Sequence, residues 1–122
     1  MSRIVVIEDN PANMKLVIFL LHNAGHEVLQ ATDAESGLAL IRAEMPALVL
    51  MDIQLPGMDG LAATRQLKTD SAIAHIPVVA LTSYAMKGDE AAMRAAGCDS
   101  YLAKPFHHRE LLALVHKILE EA

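Results

Sequence analysis

Five short apolar runs alternate along the chain with segments of helical periodicity, and this alternation constrains the fold more than any other feature. Runs of this length, bounded by polar or turn residues, are typical of buried strands. Strands that alternate with helices form a parallel sheet with helices on both faces, because parallel neighbours need a crossover connection. The expected strands are residues 3–8, 27–31, 47–52, 77–82 and 100–103.

Capping residues and apolar periodicity predict the helices between these strands. Asn10 followed by Pro11 is a helix start, with a capping side chain and a proline at the first helical position. The spacing of Thr32 and Glu35 predicts a capping box for a second helix that runs to about Ala43. The helix that begins at Pro11 is expected to stop at Gly25. The other expected helices cover about 60–69, with Asp59 as the capping residue, 87–96 and 107–120.

The expected architecture is α/β, a (βα)5 doubly wound parallel five-stranded sheet in the order 2-1-3-4-5, which is flavodoxin-like. Right-handed crossovers restrict the topology to this kind of arrangement. The chain has 122 residues, enough for one core, and contains no linker, repeat or low-complexity segment. We therefore expect residues 1–122 to form a single domain with no effector domain.

Charge and hydropathy exclude several classes of partner. The net charge is −5, which argues against direct nucleic-acid binding because phosphate backbones need clustered Lys and Arg. No apolar run approaches the roughly 18 residues that a membrane span requires, and Met1 leads directly into the first strand without a signal peptide. One Cys fits a reducing compartment. We expect a cytoplasmic protein with no membrane partner.

Polar residues stand where four of the five buried strands end. Ligands of doubly wound sheets bind beyond the carboxyl ends of the strands. Side chains at these ends would meet at one sheet edge and could hold a divalent metal and a phosphoryl group. They are Glu8 and Asp9 after the first strand, Asp52 at the end of the third, Thr82 at the end of the fourth and Lys104 after the fifth.

The three carboxylates predict a magnesium site. Anions packed this closely repel one another at a partly desolvated strand end, and a divalent cation cancels that repulsion. Mg²⁺ prefers one or two carboxylates together with waters and a phosphate. The alternative is that Glu8 and Asp9 only flank the helix at Pro11. That alternative accounts for one acid but not for Asp52, which closes a separate strand.

Asp52 is the expected nucleophile, because a carboxylate can attack phosphorus and form an acyl phosphate. Lys104 and Thr82 would then contact phosphoryl oxygens through an ammonium and a hydroxyl group. Taken alone, Lys104 is compatible with a solvated loop lysine, and Thr82 with an ordinary strand-end residue. Their joint placement at neighbouring strand ends favours the site.

In these motifs the chain resembles the receiver domain of two-component response regulators over its whole length. Three further segments resemble the single-domain DivK-type regulators of the bacterial cell cycle: 10–16, 74–80 and 85–90. The pieces that match the receiver family are Glu8-Asp9-Asn10, the segment Met51 to Gly60, Thr82-Ser83 and Lys104-Pro105.

The resemblance implies that Asp52 accepts a phosphoryl group from a phosphohistidine. It implies that Mg²⁺ is bound by the side chains of Asp9 and Asp52 and by the backbone carbonyl of Gln54, with Glu8 acting through a metal-bound water. These assignments come from the family and not from the spacing of the residues.

The resemblance also implies a switch. Thr82 and Tyr101 match the family's switch pair, in which the hydroxyl moves toward the phosphate and the ring turns inward. Gln54 and Tyr84 occupy positions that flank the path of the attacking water and would tune dephosphorylation. A sensor histidine kinase or histidine phosphotransfer protein would supply the phosphoryl group, and helix 4, strand 5 and helix 5 would contact a downstream protein. Monomer and weak dimer stay open.

Three alternatives remain. The chain could be a receiver domain excised from a hybrid kinase or a larger regulator. It could be an aspartyl-phosphate phosphatase or phosphotransferase, although such enzymes usually carry an acid where this chain has Gln54. It could be an interaction module that is never phosphorylated. We expect a phospho-accepting switch and not a turnover enzyme.

Overall fold

The structure is a computed structural model that describes residues 2–83 and 87–121, and in this part of the chain five strands alternate with five helices. The strands are β1 Arg3–Ile7, β2 Glu27–Ala31, β3 Leu48–Asp52, β4 Val78–Thr82 and β5 Ser100–Ala103. The helices are α1 Pro11–Asn23, α2 Ala34–Glu44, α3 Gly60–Thr69, α4 Lys87–Ala96 and α5 His108–Glu121.

The strands form one parallel sheet in the order β2-β1-β3-β4-β5. This confirms the predicted doubly wound fold, with each strand boundary within one residue of its expected place. β1 ends at Ile7, one residue earlier than predicted, so Glu8 lies just beyond the strand. The carboxyl ends of the four strands that carry candidate residues therefore share one edge of the sheet.

Alternate side chains of each central strand enter two separate apolar cores. On β1, Val5 and Ile7 belong to the core that packs under α2, α3 and α4, whereas Ile4 and Val6 belong to the core under α1 and α5. All four side chains are fully buried. Complete burial of a Val or Ile side chain contributes about 1.5–3 kcal/mol, so the central strands anchor the residues that follow them.

Side-chain caps set the beginnings of the helices. The Asn10 carboxamide oxygen accepts hydrogen bonds from the amides of Ala12 and Asn13 at 2.9 and 3.1 Å, as predicted for α1. The predicted capping box of α2 is wrong by one residue. Asp33 is the cap, and its carboxylate accepts from the Ser36 amide at 2.8 Å.

The reason is that both Thr32 and Asp33 are good caps, and the helix uses the charged one. An ionised carboxylate makes a stronger hydrogen bond to the free amides of a first turn than a hydroxyl does. The bonds from the Ser36 amide and hydroxyl lower the pKa of Asp33 accordingly.

The end of α2 stores backbone strain. Met45 follows the helix with φ 48° and ψ 61°, a left-handed conformation, and its side chain is exposed. This conformation costs a non-glycine residue about 1–2 kcal/mol, and glycine is the usual residue at such helix ends. The exposed side chain makes little packing contribution to offset the cost.

We predict that Met45→Gly raises the free energy of unfolding by about 0.5–1 kcal/mol, because relief of strain exceeds the added entropy of the unfolded glycine. Urea unfolding followed by circular dichroism measures the change. Ala24→Gly is the matched control, since Ala24 ends α1 with φ −83° and has no strain to relieve. A Met45→Gly protein no more stable than wild type would contradict the prediction.

A buried histidine lies at the amino ends of the strands, opposite the carboxyl ends that carry the candidate site. His26 precedes β2, and its Nδ1 accepts from the Ser2 amide at 3.3 Å. Its Nε2 has no hydrogen-bond partner among residues 2–83 and 87–121, and the His116 ring centroid lies 5.4 Å away. Burial lowers the pKa of His26, and the charges of His116 and the amino terminus lower it further.

This arrangement predicts that stability falls in mild acid. In the unfolded chain His26 has a pKa of about 6.5, which is higher than its pKa in the folded protein. The contribution of neutral His26 to the free energy of unfolding is therefore complete above a pH of about 6.5. It is lost as the pH falls from there through the folded pKa, with a slope of at most about 1.4 kcal/mol per pH unit. Urea unfolding between pH 7.5 and 5.5 measures it.

His26→Asn should flatten this pH dependence, because its carboxamide oxygen can still accept from Ser2 but does not titrate. His75→Gln, at an exposed position between α3 and β4, is the control and should keep the wild-type slope. Identical slopes in wild type and His26→Asn would show that another group is responsible.

Candidate functional site

Three carboxylates converge at the carboxyl edge of the sheet. One oxygen from each of Glu8, Asp9 and Asp52 lies within 4.8 Å of the other two. Glu8 is 1% exposed and Asp52 is 3% exposed, whereas Asp9 is exposed to solvent. The loop after β1 and the end of the neighbouring strand β3 therefore bring two buried acids and one accessible acid to a single point.

Lys104 supplies a positive charge to this cluster. Its Nζ lies 2.7 Å from Glu8 Oε1 and 3.2 Å from Asp52 Oδ2. The Lys104 backbone amide donates to the Thr82 carbonyl at 2.7 Å, which extends the β4–β5 pairing by one residue and aims the side chain at the carboxylates. The contact with Glu8 is one that sequence reasoning missed, because Glu8 was assigned only to the metal.

The electrostatics of the site follow from burial and from this single cation. Burial raises the pKa of Glu8, and its hydrogen bond with Asp52 raises it further. Burial also opposes ionisation of Asp52, but contacts with Glu8, the Gln54 amide and Lys104 outweigh it and lower the pKa of Asp52. Burial likewise opposes the charge on Lys104, and the two acids overcome it and raise its pKa. The environment thus favours the ionised form of Asp52 more than that of Glu8.

The donor set fits a hard divalent cation. Three carboxylates face one ammonium group, so the site has an excess of negative charge that a cation would neutralise. All of these donors are oxygen atoms, which Mg²⁺ and Ca²⁺ prefer over nitrogen and sulfur. The exposed Asp9 leaves the cluster open to solvent on one side, which suits a metal that keeps waters.

The loop between β3 and α3 holds Asp52 from its other side. The Gln54 amide donates to Asp52 Oδ1 at 2.9 Å. The loop is closed at its base, because the Gly60 amide donates to the Ile53 carbonyl at 3.2 Å. Asp59 then caps α3, as its position suggested, by accepting from the Ala62 amide at 2.8 Å. The Asp52 carboxylate is thereby fixed between an amide and an ammonium group.

The remaining candidates occupy different parts of the sheet. Thr82 is fully buried at the end of β4, next to β3. Tyr101 is half-buried on β5 and packs against the core under α2, α3 and α4. Tyr84 lies outside the described residues.

A cavity of about 430 Å³ adjoins the cluster between α1 and the segment after β5. Sequence reasoning missed it, because no local signal marks a cavity assembled from four distant segments. Its lining residues are Glu8, Asn13, Leu16, Val17, Leu81, Ser83, Lys104, Pro105 and Phe106. It extends from Glu8 and Lys104 toward α1, where the Leu16 side chain is half exposed.

None of the helices within residues 2–83 and 87–121 combines the length and the apolar character that crossing a membrane demands.

Comparison with known proteins gives one consistent result. A family model described as the response regulator receiver domain matches residues 4–116. The polar-differentiation response regulator DivK of Brucella anthropi is 40% identical over 119 residues, which are 98% of this chain and 97% of that protein.

Solved structures agree with this result. The receiver domain of a sensor histidine kinase from Pseudomonas aeruginosa, solved with a magnesium ion coordinated in its active-site cleft, is 31% identical with a TM-score of 0.91, covering 98% of both chains. The chemotaxis protein CheY4 of Vibrio cholerae shares the fold at 24% identity and a TM-score of 0.92, over 97% of this chain and 98% of that one. With its carboxylate cluster at the carboxyl edge of a doubly wound sheet, this chain belongs to the response regulator receiver domain family.

Proposed function

We propose that this protein is a phospho-accepting signalling switch, in which Asp52 takes a phosphoryl group from a phosphohistidine and the modified domain changes its protein contacts. The observation that carries the proposal is the setting of Asp52. Its carboxylate is buried at the end of the central strand β3, held by Lys104 and the Gln54 amide, and lies within 4.8 Å of two further carboxylates.

Asp52 is the nucleophile in this proposal. A carboxylate oxygen forms a bond to phosphorus, the bond from phosphorus to the donor imidazole nitrogen breaks, and its electron pair returns to that nitrogen. The lowered pKa of Asp52 keeps the carboxylate ionised for this attack. Its two contacts, at 2.9 Å to the Gln54 amide and 3.2 Å to the Lys104 ammonium, fix its orientation before the donor arrives.

The residues that would hold Mg²⁺ are Asp9 and Asp52 through their side chains, Gln54 through its backbone carbonyl and Glu8 through a bound water. The charge excess of the cluster supports this assignment, as does the magnesium ion in the related receiver domain from Pseudomonas aeruginosa. When bound, the metal supplies positive charge that stabilises the oxygens of the transferring phosphoryl group.

Lys104 and Thr82 would act on the phosphoryl group itself. The Lys104 ammonium, which bridges Glu8 and Asp52 in this structure, would contact one phosphoryl oxygen, and the Thr82 hydroxyl would donate to another. Because Lys104 follows β5 and Thr82 closes β4, movement of either side chain would reach the β4–β5 edge of the sheet. Tyr101 lies on that edge and is the second member of the proposed switch pair.

The proposed partners follow from this chemistry. A sensor histidine kinase or a histidine phosphotransfer protein would donate the phosphoryl group, and a downstream protein would bind α4, β5 and α5. Gln54 and Tyr84 would tune the rate of dephosphorylation, since neither side chain can act as a carboxylate base toward water. We assign the protein a signalling role in the cytoplasm and no substrate turnover beyond its own phosphorylation and dephosphorylation.

We predict that Asp52→Asn lowers phosphoryl uptake by at least about 100-fold, because a carboxamide lacks the charge needed to attack phosphorus. Mass spectrometry after incubation with acetyl phosphate or a phosphorylated histidine phosphotransfer protein, with Mg²⁺, detects the added group. Asp59→Asn is the matched control and should be labelled normally, since Asn caps a helix as well as Asp does. Equal labelling of Asp52→Asn and wild type would exclude Asp52 as the acceptor.

We predict that Lys104→Met lowers the free energy of unfolding by about 3–5 kcal/mol without metal, because two buried acids lose their counter-charge. Mg²⁺ should stabilise this variant more than wild type, since the metal then supplies the missing positive charge. Urea unfolding in EDTA and in Mg²⁺ measures both effects. Lys117→Met, at an exposed position on α5, is the control. A deficit unchanged by Mg²⁺ would argue against metal binding at this cluster.

A further inference from the structure

We infer that Gly60 is a positioning residue for the phosphoacceptor: the missing side chain lets α3 begin against the backbone of Asp52, and this contact sets where Asp52 and the Gln54 carbonyl lie. The inference rests on the proposed function, because it concerns the same metal and phosphoryl site. Gly60 itself would touch neither the metal nor the phosphoryl group.

The space around Gly60 has no room for a side chain. A Cβ placed on this residue would lie 2.3 Å from the Asp52 carbonyl oxygen, 2.5 Å from Ile53 Cα and 2.9 Å from the Asp52 carbonyl carbon. Ordinary contacts of a Cβ atom begin near 3.4 Å. Any residue other than glycine would therefore force the start of α3 and the backbone at Asp52 apart by roughly 1 Å.

The obstacle is main chain and cannot rotate away. At Gly37 the corresponding carbon meets side-chain atoms of Ile7 and no backbone atom, and at Gly57 it meets nothing within 4 Å. Of the glycines whose surroundings the structure describes, Gly60 is the one whose added carbon would meet the backbone of a proposed site residue.

Helix α3 is held firmly on its side of the contact. The Gly60 carbonyl accepts a hydrogen bond from the buried Thr64 hydroxyl at 2.8 Å. Ala63 and Leu67, one and two turns further along, are fully buried in the core. Moving the helix outward would open that core, which close packing resists.

The loop on the other side is therefore the part that would move. It is joined to Gly60 through the bond from the Gly60 amide to the Ile53 carbonyl, 3.2 Å long. The next residue, Gln54, donates its amide to the Asp52 carboxylate and would offer its carbonyl to the metal. A shift of the Asp52–Ile53 peptide would displace both groups, and misplacement by about 1 Å costs such a site on the order of 100-fold.

The test compares Gly60→Ala with Gly25→Ala. Gly25 has φ 92° and nothing within 4 Å of an added carbon, so alanine there strains the chain at the opposite edge of the sheet without touching the site. The first readout needs no metal: backbone amide chemical shifts of residues 52–54 in nuclear magnetic resonance spectra. The second is the Kd for Mg²⁺, and the third is phosphoryl uptake from acetyl phosphate.

For Gly60→Ala we expect altered amide shifts at 52–54 without metal and a Kd for Mg²⁺ raised about 10-fold or more, as when other residues that orient metal ligands are changed. Gly25→Ala should lose stability but keep the wild-type shifts at 52–54 and a Kd within about twofold, because its strain lies far from the metal ligands. If Gly60→Ala unfolds in plain buffer, the same measurements are made with sucrose, which favours the folded state.

The outcomes separate the two ideas. If wild type binds Mg²⁺ and accepts a phosphoryl group while folded Gly60→Ala binds Mg²⁺ equally well, the positioning role is overturned and the proposed function stands. If wild type does neither, the proposed function fails. In that case the metal-free amide shifts alone test whether Gly60 positions the backbone of Asp52. Unchanged shifts at 52–54 in Gly60→Ala overturn this role, and shifts altered in Gly60→Ala but not in Gly25→Ala support it.

Discussion

The contact between the Lys104 ammonium and two buried carboxylates is the interaction on which the candidate site depends. Glu8 and Asp52 end neighbouring segments of a parallel sheet, where apolar side chains and the sheet itself exclude most of the water. Without Lys104 at 2.7 and 3.2 Å, one or both acids would have to bind a proton. The contact with Lys104 stabilises the ionised form of Asp52.

In that arrangement a bound cation and the Lys104 ammonium would compete for the same carboxylates. A divalent cation bound at the proposed metal site would neutralise the same carboxylates that Lys104 contacts. A phosphoryl group on Asp52 would add negative charge and draw both toward it. The switch proposed for this protein thus needs no large rearrangement at its origin, because one side chain that changes partners at the end of β5 is linked by backbone hydrogen bonds to β4.

Most of the fold could be predicted from the sequence, because its signals are local and agree with one another. Apolar runs placed every strand to within one residue, and Asn10 and Asp59 cap the helices that they were expected to cap. The error at Thr32 arose where two adjacent residues could both cap, and the helix uses the charged one, Asp33. The partner of Lys104 and the close approach at Gly60 were missed for another reason. Both depend on the three-dimensional approach of residues that are not adjacent in the chain, which a pattern of residue types does not contain.

The strained Met45 and the unsatisfied His26 precede β3 and β2 and so lie at the amino ends of the strands, whereas the carboxylate cluster lies at the carboxyl ends. Positions that affect stability at one end of this sheet are therefore separated in space from the carboxylates at the other end. Descendants of such a domain could adapt to a new temperature or acidity by substitutions at the amino-end loops and keep their signalling chemistry intact. For protein engineers, the same separation marks where a receiver of this kind can be stabilised without changing the residues of its proposed phosphorylation site.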